Sequence, residues 1–365
     1  MVELIKKALR FYVRLRWGIK APYMSKRIVE SFISDYRQRK LPWLEIWSIH
    51  HKGFTVSNWI ILKLNKSNYK EYLSDIQYFR MHPINGEYSY IIDDKWTLKK
   101  LCADTELNKY MPEYYYRVGS NGMVEQLMDC PYINENGTAK AISKLLREKG
   151  TLAIKQVAGS LGIGFYKAEF KSGKYLLNER EYSEEEFCNE ISKLRDYLIT
   201  EYLFPHSTLA QFCPYTCNCL RYLAGRTDGK LQMLKSFIRF GTEKSGFVEN
   251  YNAGGVLCYI DENGCFENGN VIDFESGTNQ AINKHPDNGK TLKGKIPEWE
   301  EIIAAADKFG KVFPGLMYMG IDFVVTSDER VKVLEINSLT SLDSIQLDSS
   351  ILDTNAGDFY RELMK

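Results

Sequence analysis

The stretch Gly320-Ile321-Asp322-Phe323-Val324-Val325-Thr326-Ser327-Asp328-Glu329-Arg330-Val331-Lys332-Val333-Leu334-Glu335-Ile336-Asn337 lies near the C-terminal end of the 365-residue sequence. Two apolar runs flank the polar turn Thr-Ser-Asp-Glu-Arg, a pattern that predicts a β-hairpin with two largely buried strands. Antiparallel pairing brings Asp322, Glu335 and Asn337 to the same end of this hairpin. Glu335 and Asn337 are two residues apart and therefore point to one face.

Three oxygen-bearing side chains would thus converge at one end of the hairpin. Two carboxylates crowded together repel each other, whereas a hard divalent cation prefers oxygen ligands together with phosphate oxygens and water. The pattern therefore favours a metal site for Mg²⁺, with Mn²⁺ as an alternative. An ordinary hairpin with solvated acids at its mouth explains the same residues, and the hairpin alone leaves both interpretations open.

Length and composition restrict the class of protein. A chain of this length can bury substantial cores in two or three lobes. Hydrophobic residues make up 44% of the sequence and the formal net charge is +1, so no overall basic field indicates nucleic acid as a partner. The eight cysteines form no disulfide-like framework, and we expect a reducing, cytoplasmic location. We interpret Cys213, Cys217 and Cys219 as strand thiols rather than a zinc site.

The N-terminal segment differs from the rest in charge. Residues 1–40 contain eleven Lys and Arg against three acids, an excess of eight positive charges. Residues 2–22 predict an amphipathic basic helix. This helix could lie on an anionic membrane at its inner face, or pack on the body of the protein with a solvated basic flank, and both interpretations stay open. No apolar run approaches the ~20 residues needed to cross a bilayer.

The intervening sequence predicts a mixture of helices and strands. We expect a second helix over 22–50, a mixed segment over 51–92 that ends in a short strand at 88–92, and a helix that begins at Asp93 and ends near residue 104. An extended segment should follow at 111–117, with helical pattern over 123–129 and 135–148.

A second informative stretch runs from Thr151 to Ala168. A predicted strand ends in Lys155, and the following loop carries glycines at 159, 162 and 164 before another strand returns. Such a loop can cover a polyphosphate with its backbone N–H groups while Lys155 supplies a positive charge. The sequence is neither a Walker loop nor a dinucleotide fingerprint, because a strand follows the loop. A glycine-rich hairpin without a ligand is the alternative.

Further polar residues are candidates for a binding site. Glu201 ends an apolar strand and could accept a hydrogen bond from an adenine amino group, or simply be solvated. Arg221 lies within an apolar strand and is a candidate for binding a γ-phosphoryl group or an acyl phosphate, although an arginine at the surface paired to an acid is the commoner arrangement. The candidate substrate-binding residues are Asn218, Asn250, Asn252, Gly254, Gly255 and His285, of which the loop histidine could equally be structural.

The order of these parts resembles the ATP-grasp superfamily, over roughly residues 93–345. Within it, the motifs Asn-Cys-Leu-Arg-Tyr-Leu at 218–223 and Leu-Glu-Ile-Asn at 334–337 resemble the sugar-transfer-associated ATP-grasp group, related to the teichuronopeptide-biosynthesis type. The resemblance implies an α+β fold with two α/β lobes that grip ATP. It divides the chain into a basic, mainly helical segment (1–92), a small lobe with a glycine-rich lid (93–205) and a large lobe with a metal-binding hairpin (206–365).

The resemblance also assigns roles to residues. Lys95 and Lys155 would contact ATP phosphates, and Arg221, with Lys155, would act on the group transferred. Residues 159–164, including Ser160 and Leu161, would form a mobile lid over ATP. Glu201, with Tyr202 and Leu203, would form the adenine hinge, and Asp322, Glu335 and Asn337 would bind Mg²⁺.

The sequence departs from the family pattern at two positions. Gln156 replaces a common proline, and Thr208 stands where a second hinge acid is usual. His206, Gln211 or main chain would then contact the ribose.

By this resemblance the expected function is that of an ATP-dependent carboxylate-amine ligase with an acyl-phosphate intermediate. One partner would be a sugar acid or amino sugar of a surface polysaccharide and the other an amino acid or amine. The alternatives are a phosphotransferase that uses the same cleft and a nucleotide-binding regulatory protein without turnover.

Overall fold

A computed structural model of the chain describes residues 2–38, 40–132, 137–159, 162–273 and 276–365. Its N-terminal part is helical, with the bounds α1 Val2–Trp17, α2 Pro22–Gln38, α3 Trp43–His51, α4 Val56–Ile61, α5 Asp75–Met81 and α6 Tyr88–Asp93. The helix predicted over 22–50 is two helices, because Pro42 disfavours a helical Leu41 and begins a new helix. The strand predicted at 88–92 is wrong: Ser89 and Ile92, three residues apart, are both buried in helix α6.

Helix α1 packs on α2 through Val13 and Trp17, with Ile19 buried just beyond its end. The apolar face predicted from the sequence points away from this contact, and Leu4 and Leu15 are 74% and 70% exposed. Helix α1 therefore packs on the body of the protein, but most of the apolar face that the sequence indicated stays exposed. No helix in the described ranges is long and apolar enough to cross a membrane.

A first antiparallel sheet follows. Its elements are α7 Lys95–Ala103, β1 Tyr114–Val118, β2 Val124–Gln126, α8 Ala139–Lys149, β3 Thr151–Gln156, β4 Tyr166–Lys171, β5 Lys174–Leu177, β6 Arg180–Tyr182, α9 Glu184–Lys193 and β7 Tyr197–Glu201. The strand order is β2-β1-β7-β3-β4-β5-β6, and α8 and α9 pack on the sheet. The helix predicted at 123–129 is wrong, because a tight turn with Gly122 at φ 81° pairs β2 with β1.

A second antiparallel sheet contains the C-terminal hairpin. Its part of the chain consists of α10 Ser207–Ala210, β8 Leu220–Thr227, β9 Lys230–Phe240, β10 Val256–Tyr259, β11 Cys265–Glu267, β12 Gly269–Asp273, β13 Thr278–Ile282, β14 Lys293–Lys295, α11 Trp299–Val312, β15 Tyr318–Val325, β16 Val331–Asn337 and α12 Gly357–Met364. The strand order is β13-β12-β10-β9-β8-β15-β16, while β11 and β14 form a separate pair. Single-turn 3₁₀ helices occupy Tyr69–Glu71, Glu106–Tyr110, Tyr251–Ala253, Asp343–Ile345 and Ile351–Asp353.

The predicted hairpin is confirmed. Every residue of β15 is buried, and β15 pairs with β16 so that Asp322 lies opposite Glu335. The α+β class is likewise confirmed, whereas the division of the chain at residues 93 and 205 stays a prediction.

The turn end of this hairpin holds the two sheets together. Arg330 forms an ion pair with Glu201 of β7 at 2.7 Å, and Thr326 makes an isolated bridge with Pro205. The Nζ of Lys332 donates to the carbonyl oxygens of Lys109 and Met111, both at 2.9 Å. The opposite end of the hairpin, with Asp322 and Asn337, is thereby placed beside the first sheet.

Candidate active site

A cavity of about 580 Å³ lies between the two sheets. The first sheet contributes residues of β3, β7 and the glycine-rich loop, and the second contributes residues of β8, β9, β15 and β16. The predicted residues that line it are Lys95, Lys155, Gly159, Gly162, Glu201, Tyr202, Leu203, Arg221, Asn250, Asn252, Asp322, Glu335 and Asn337. Residues far apart in sequence thus share one cavity that can hold a nucleotide-sized ligand.

Lys95 joins the glycine-rich loop to the hairpin. It is the first residue of α7, whose N-terminus is capped by the Asp94 side chain. Its Nζ lies 2.7 Å from Oε2 of Glu335 and donates to the carbonyl oxygen of Gly159 at 2.9 Å. This buried ammonium therefore fixes the position of the loop relative to the hairpin.

Lys155 ends β3 at the same side of the cavity. Its Nζ lies 5.4 Å from the centre of the Tyr114 ring. Burial, reinforced by repulsion from Lys95, lowers the pKa of Lys155 to about 8, although Glu335 opposes this effect. A lysine held in this way gains an anionic partner readily, because a phosphate would relieve both the desolvation and the repulsion.

Glu335 and Asn337 lie side by side on β16. The Nδ2 of Asn337 donates to Oε1 of Glu335 at 3.2 Å. Burial alone would raise the pKa of Glu335, but attraction to Lys95, with help from Arg221 and Asn337, lowers it to about 2. Glu335 is therefore ionised at neutral pH despite its burial.

Two arginines hold Asp322. Arg221 on β8 contacts it through both Nε and Nη2, the latter at 3.1 Å, and also donates from Nη1 to Oγ1 of Thr340 at 2.9 Å. Arg239 on β9 donates from Nη2 to Asp322 at 3.0 Å and lies 4.0 Å from Glu249. Both oxygens of Asp322 are thus bound to guanidinium groups.

Arg239 and Glu249 were not identified from the sequence. Arg239 stands in the apolar run Ser-Phe-Ile-Arg-Phe of β9, and the argument that singled out Arg221, a permanent charge inside an apolar strand, applies to it equally. Burial raises the pKa of Glu249, with Arg239 opposing the effect. Four basic side chains therefore outweigh the carboxylates at this end of the cavity, which favours a polyanion.

The hairpin offers oxygen ligands of the type that a hard divalent cation prefers, although basic side chains contact both carboxylates in this structure. Glu335 and Asn337 lie side by side on β16, with Nδ2 of Asn337 facing Glu335, and Asp322 lies opposite Glu335 on the paired strand. The charges of the two carboxylates are balanced by Lys95, Arg221 and Arg239. Among the described residues no cluster of three acidic, histidine or cysteine side chains suits a metal, so a site here depends on two carboxylates and an amide.

Gly162 of the glycine-rich loop lies against Val248, in the segment between β9 and β10. Gly162 has φ 71°, and a Cβ atom there would lie 2.5 Å from Cγ1 of Val248. Gly164 has φ 73°, but a Cβ would meet the Tyr197 hydroxyl rather than the cavity, which Gly164 does not line. Ser160 and Leu161 lie outside the described residues. Glycine is therefore required here both by backbone conformation and by close approach.

The predicted hinge lines the cavity at Glu201, Tyr202 and Leu203. The Glu201 carboxylate, however, is bound to Arg330 at 2.7 Å and accepts a hydrogen bond from the Glu113 amide at 3.2 Å. In this structure Glu201 thus links the sheets, and the backbone and the Tyr202 side chain are what the hinge offers to a ligand.

Several predicted substrate or ribose contacts do not reach the cavity. Asn218 is 1% exposed and hydrogen-bonds Thr216 and the Cys213 carbonyl, because it occupies a left-handed turn before β8. His285 is equally buried and its Nε2 lies 3.0 Å from the carbonyl of Gly241.

Three more predicted positions also lie outside the cavity. His206 caps α10 with its own side chain. Gly254 and Gly255 pack against Lys244 and the backbone of Glu249, where a Cβ would lie within 2.8 Å of either neighbour. None of these residues is among the described residues that line the cavity.

The N-terminal helices line the far end of the cavity. Side chains of α2, α4 and α5 reach it, together with the segment that follows the hairpin, through Arg27, Asn58, Asp75, Ser341 and Asp343. The sequence showed no signal for this, because neither charge pattern nor spacing indicates which distant element a short helix will cover.

Comparisons with known proteins identify the family. The family model described as "Sugar-transfer associated ATP-grasp" matches residues 77–356. No curated protein matches the chain. The family match includes α7, both sheets and most of the C-terminal segment.

Solved structures are similar at low identity. The ATP-grasp ligase PsnB, complexed with a minimal precursor, is 14% identical with a TM-score of 0.39, over 77% of this chain and 62% of that chain. D-alanyl-alanine synthetase A from Vibrio cholerae is 14% identical with a TM-score of 0.43, over 77% and 65%. N5-carboxyaminoimidazole synthase from Aspergillus clavatus is 11% identical with a TM-score of 0.37, over 70% and 46%. The chain thus spans less than two thirds of the length of these structures.

Proposed function

Because the chain belongs to the sugar-transfer associated ATP-grasp family, we propose that it is an ATP-dependent ligase that joins a carboxylate to an amine. One observation carries the proposal: Lys95, Lys155, Arg221 and Arg239 converge with the hairpin carboxylates on one cavity between the sheets. This arrangement suits a triphosphate at the cationic end and a group that receives phosphate beside it.

The proposed reaction has two steps. A carboxylate oxygen of the first substrate attacks the γ-phosphorus of ATP, and the bond between this phosphorus and the oxygen that bridges to the β-phosphate breaks. The products of this step are ADP and an acyl phosphate. The amine nitrogen then attacks the acyl carbon, the carbon-oxygen bond to phosphate breaks, and the amine loses a proton to give the amide and inorganic phosphate. Binding and charge neutralisation are the main tasks of the protein in both steps.

The chain's own residues divide these tasks. Lys95 and Lys155 bind the phosphates, and Arg221 with Arg239 faces the transferred group. Asp322, Glu335 and Asn337 would hold Mg²⁺, which supplies further neutralisation of phosphate charge. The glycine-rich loop covers the site and excludes water that would hydrolyse the intermediate.

A covalent enzyme intermediate is not part of the proposal. Cys217 lines the cavity, but burial and the neighbouring Glu249 raise its pKa well above the ordinary value, so its thiol stays protonated. A protonated thiol is a weak nucleophile. Direct transfer to the substrate carboxylate is therefore favoured.

The substrates proposed follow from the family description. A sugar acid or amino sugar of a surface polysaccharide would be one partner, and an amino acid or another amine would be the other. The test is ADP release with candidate acids and amines, with products identified by mass spectrometry. Release that needs both partners and yields an amide supports the ligase, whereas a stable phosphorylated product from one partner would identify a phosphotransferase. Binding of Mg·ATP without turnover for any pair would indicate a regulatory protein.

We also propose that the N-terminal segment lies on an anionic membrane at its inner, cytoplasmic face. On α1, Phe11 and Leu15 are 63% and 70% exposed, and Trp43 and Trp47 on α3 are exposed too. Residues 1–40, which include α1, carry an excess of eight positive charges, and exposed apolar side chains in a basic segment suit an interfacial helix.

Vesicle sedimentation tests the membrane contact. The full chain should sediment with vesicles that contain phosphatidylglycerol and stay in solution with phosphatidylcholine alone. The double variant Phe11→Ser, Leu15→Ser should lose sedimentation, while Ile303→Ser, an exposed apolar residue on α11, should retain it. Equal sedimentation of all three proteins would reject the contact without affecting the proposed reaction.

A further inference from the structure

The end of the cavity that the N-terminal helices close contains two buried carboxyl groups, Asp75 and Asp343. Both line the cavity, and their side chains belong to residues only 4% and 6% exposed. Asp75 begins α5, and Asp343 begins the 3₁₀ helix that follows the hairpin. Neither residue takes part in the arrangement of lysines and arginines described above.

Asp75 is held in a fixed orientation. Its Oδ2 accepts a hydrogen bond from the Thr55 amide at 2.9 Å, and its Oδ1 accepts one from Nδ2 of Asn58 at 2.7 Å. Asp343 is bonded differently, because hydroxyl groups of Ser341 and Tyr251 reach it while its Oδ2 atom is buried with no hydrogen-bond partner. A buried carboxylate oxygen without a partner is costly, which points to a donor that a ligand supplies.

No lysine, arginine or histidine of the described ranges forms an ion pair with Asp75 or Asp343. At the other end of the cavity, by contrast, Glu335 and Asp322 each contact a basic side chain. Burial, together with repulsion from Asp343, raises the pKa of Asp75 to about 7. Burial also raises the pKa of Asp343. The cavity therefore has one end where basic side chains contact the acids and a far end, also lined by Arg27, where two buried carboxyls have no ion-pair partner among the described residues.

We propose that Asp75 and Asp343 bind the ammonium group of the amine substrate, so that the N-terminal segment forms the amine subsite of the ligase. This inference rests on the proposed function, which requires an amine as the second substrate. An ammonium group has three donors and no acceptor, and it would meet the unpartnered Oδ2 of Asp343 and the carboxylate of Asp75. The positive charge of an ammonium group between the two carboxyls would also offset their mutual repulsion.

The subsite is connected to the reacting end of the cavity. Thr340 accepts a hydrogen bond at its Oγ1 from Arg221, and its carbonyl oxygen accepts one from the Tyr78 hydroxyl of α5 at 2.6 Å. The helix that carries Asp75 thus contacts the same residue that orients Arg221. An amine held by Asp75 and Asp343 would lie in the same cavity as the acyl phosphate that it attacks.

Ligand-observed NMR on the full chain tests the subsite without the natural substrate. The probes are D-glucosamine, D-galactosamine and L-alanine, each paired with its N-acetyl counterpart, which lacks the ammonium group. At least one amine should bind and its counterpart should not. Asp343→Asn should weaken that binding by about tenfold or more, since a hydrogen bond to a charged group is lost.

Two further variants make the result decisive. Asp353→Asn, the same change at an exposed residue outside the cavity, should leave amine binding unaltered. Asp75→Asn should weaken binding as well, with its circular dichroism spectrum showing that α4 and α5 remain folded. If no amine binds, if the N-acetyl compounds bind equally, or if Asp343→Asn retains full affinity, the subsite is refuted.

ATP turnover measured in parallel separates this inference from the proposed function. Amide formation that is insensitive to Asp343→Asn would refute the subsite and leave the ligase intact. Amine binding that depends on Asp343, without ATP turnover for any pair of substrates, would support the subsite and refute the ligase.

Discussion

Replacing Glu335 by glutamine removes the carboxylate that faces Lys95 and keeps nearly the same side-chain volume. In the native protein this carboxylate lies 2.7 Å from the ammonium and also accepts a hydrogen bond from Asn337. The glutamine amide can still accept a hydrogen bond, but the buried ammonium then faces only neutral oxygens, of this amide and of the Gly159 carbonyl, in place of the carboxylate. We expect the variant to fold and to be less stable than the native protein at neutral pH.

The magnitude follows from the pKa of Glu335. Although burial opposes the effect, Lys95 and its neighbours lower this pKa from 4.5 to about 2, which corresponds to about 3 kcal/mol of stability. Because the pKa of the folded state is depressed, the contribution is fully present above pH 4.5 and is lost as the pH falls toward 2. About half of it should remain at pH 3.

Urea unfolding followed by circular dichroism measures this difference. Glu335→Gln should be less stable than the native protein by about 3 kcal/mol at pH 7, and the gap should narrow to about half at pH 3. Glu249→Gln is the matched control, because burial raises rather than lowers the pKa of Glu249. Its stability relative to the native protein should therefore improve, not worsen, between pH 3 and pH 7.

The same variant should also lose its Mg²⁺-dependent ADP release. Equal stability of Glu335→Gln and the native protein at pH 7, or a gap that does not change with pH, would refute the role of the Lys95 contact. A normal rate of ADP release would remove Glu335 from the proposed metal site, whatever the stability data show.

The remaining predictions concern the loop and the basic residues. Gly162→Ala should raise the KM for ATP by about tenfold, because the added methyl group strains the backbone and meets Val248. Gly173→Ala is the control, because it introduces similar backbone strain in an open turn and should leave the KM for ATP unchanged. Equal KM values for the two variants would show that the loop need not approach Val248. The KM for ATP should rise by about tenfold between pH 7 and pH 9, because Lys155 has a pKa of about 8 and loses its charge over this range. In Lys155→Arg the KM should not change with pH, since arginine stays charged. A native KM that is the same at pH 7 and pH 9 would contradict the contact of Lys155 with phosphate. Arg239→Met should lower the free energy of unfolding in urea by about 3 kcal/mol, because it removes one of the two guanidinium groups that contact buried Asp322. Lys293→Met, which breaks an exposed ion pair, should have no measurable effect. An unchanged urea midpoint for both variants would show that Arg221 alone is sufficient to stabilise Asp322.

The sequence predicted the parts of the site that local pattern determines. Two apolar runs and a polar turn were enough for the hairpin, and the pairing rule then placed Asp322 and Glu335 at the same end, where the structure pairs them. Lys155 and the glycines could be found because a strand, a charge and a flexible loop follow each other directly in the chain. These features depend on neighbouring residues alone.

Long-range packing explains what the sequence could not predict. Asn218 and His285 are polar residues in loops, and nothing local distinguishes a loop side chain that turns inward to a carbonyl from one that meets a ligand. The exposed apolar face of α1 and the arrival of Asp75 in the cavity depend on where an entire helical segment docks. The side-chain partner of Glu201 is equally distant, since Arg330 lies 129 positions further along the chain.

The position of the link between Glu201 and Arg330 restricts how a nucleotide could enter. Lys332 and the bridge of Thr326 with Pro205 lie at the same turn end of the hairpin, whereas at its other end Lys95 joins Gly159 to Glu335. Separation of Gly162 from Val248 would therefore also strain the contact of Lys95 with the neighbouring Gly159. Movement of the glycine-rich loop and the position of the Glu335 carboxylate would then be mechanically coupled through the single ammonium group of Lys95.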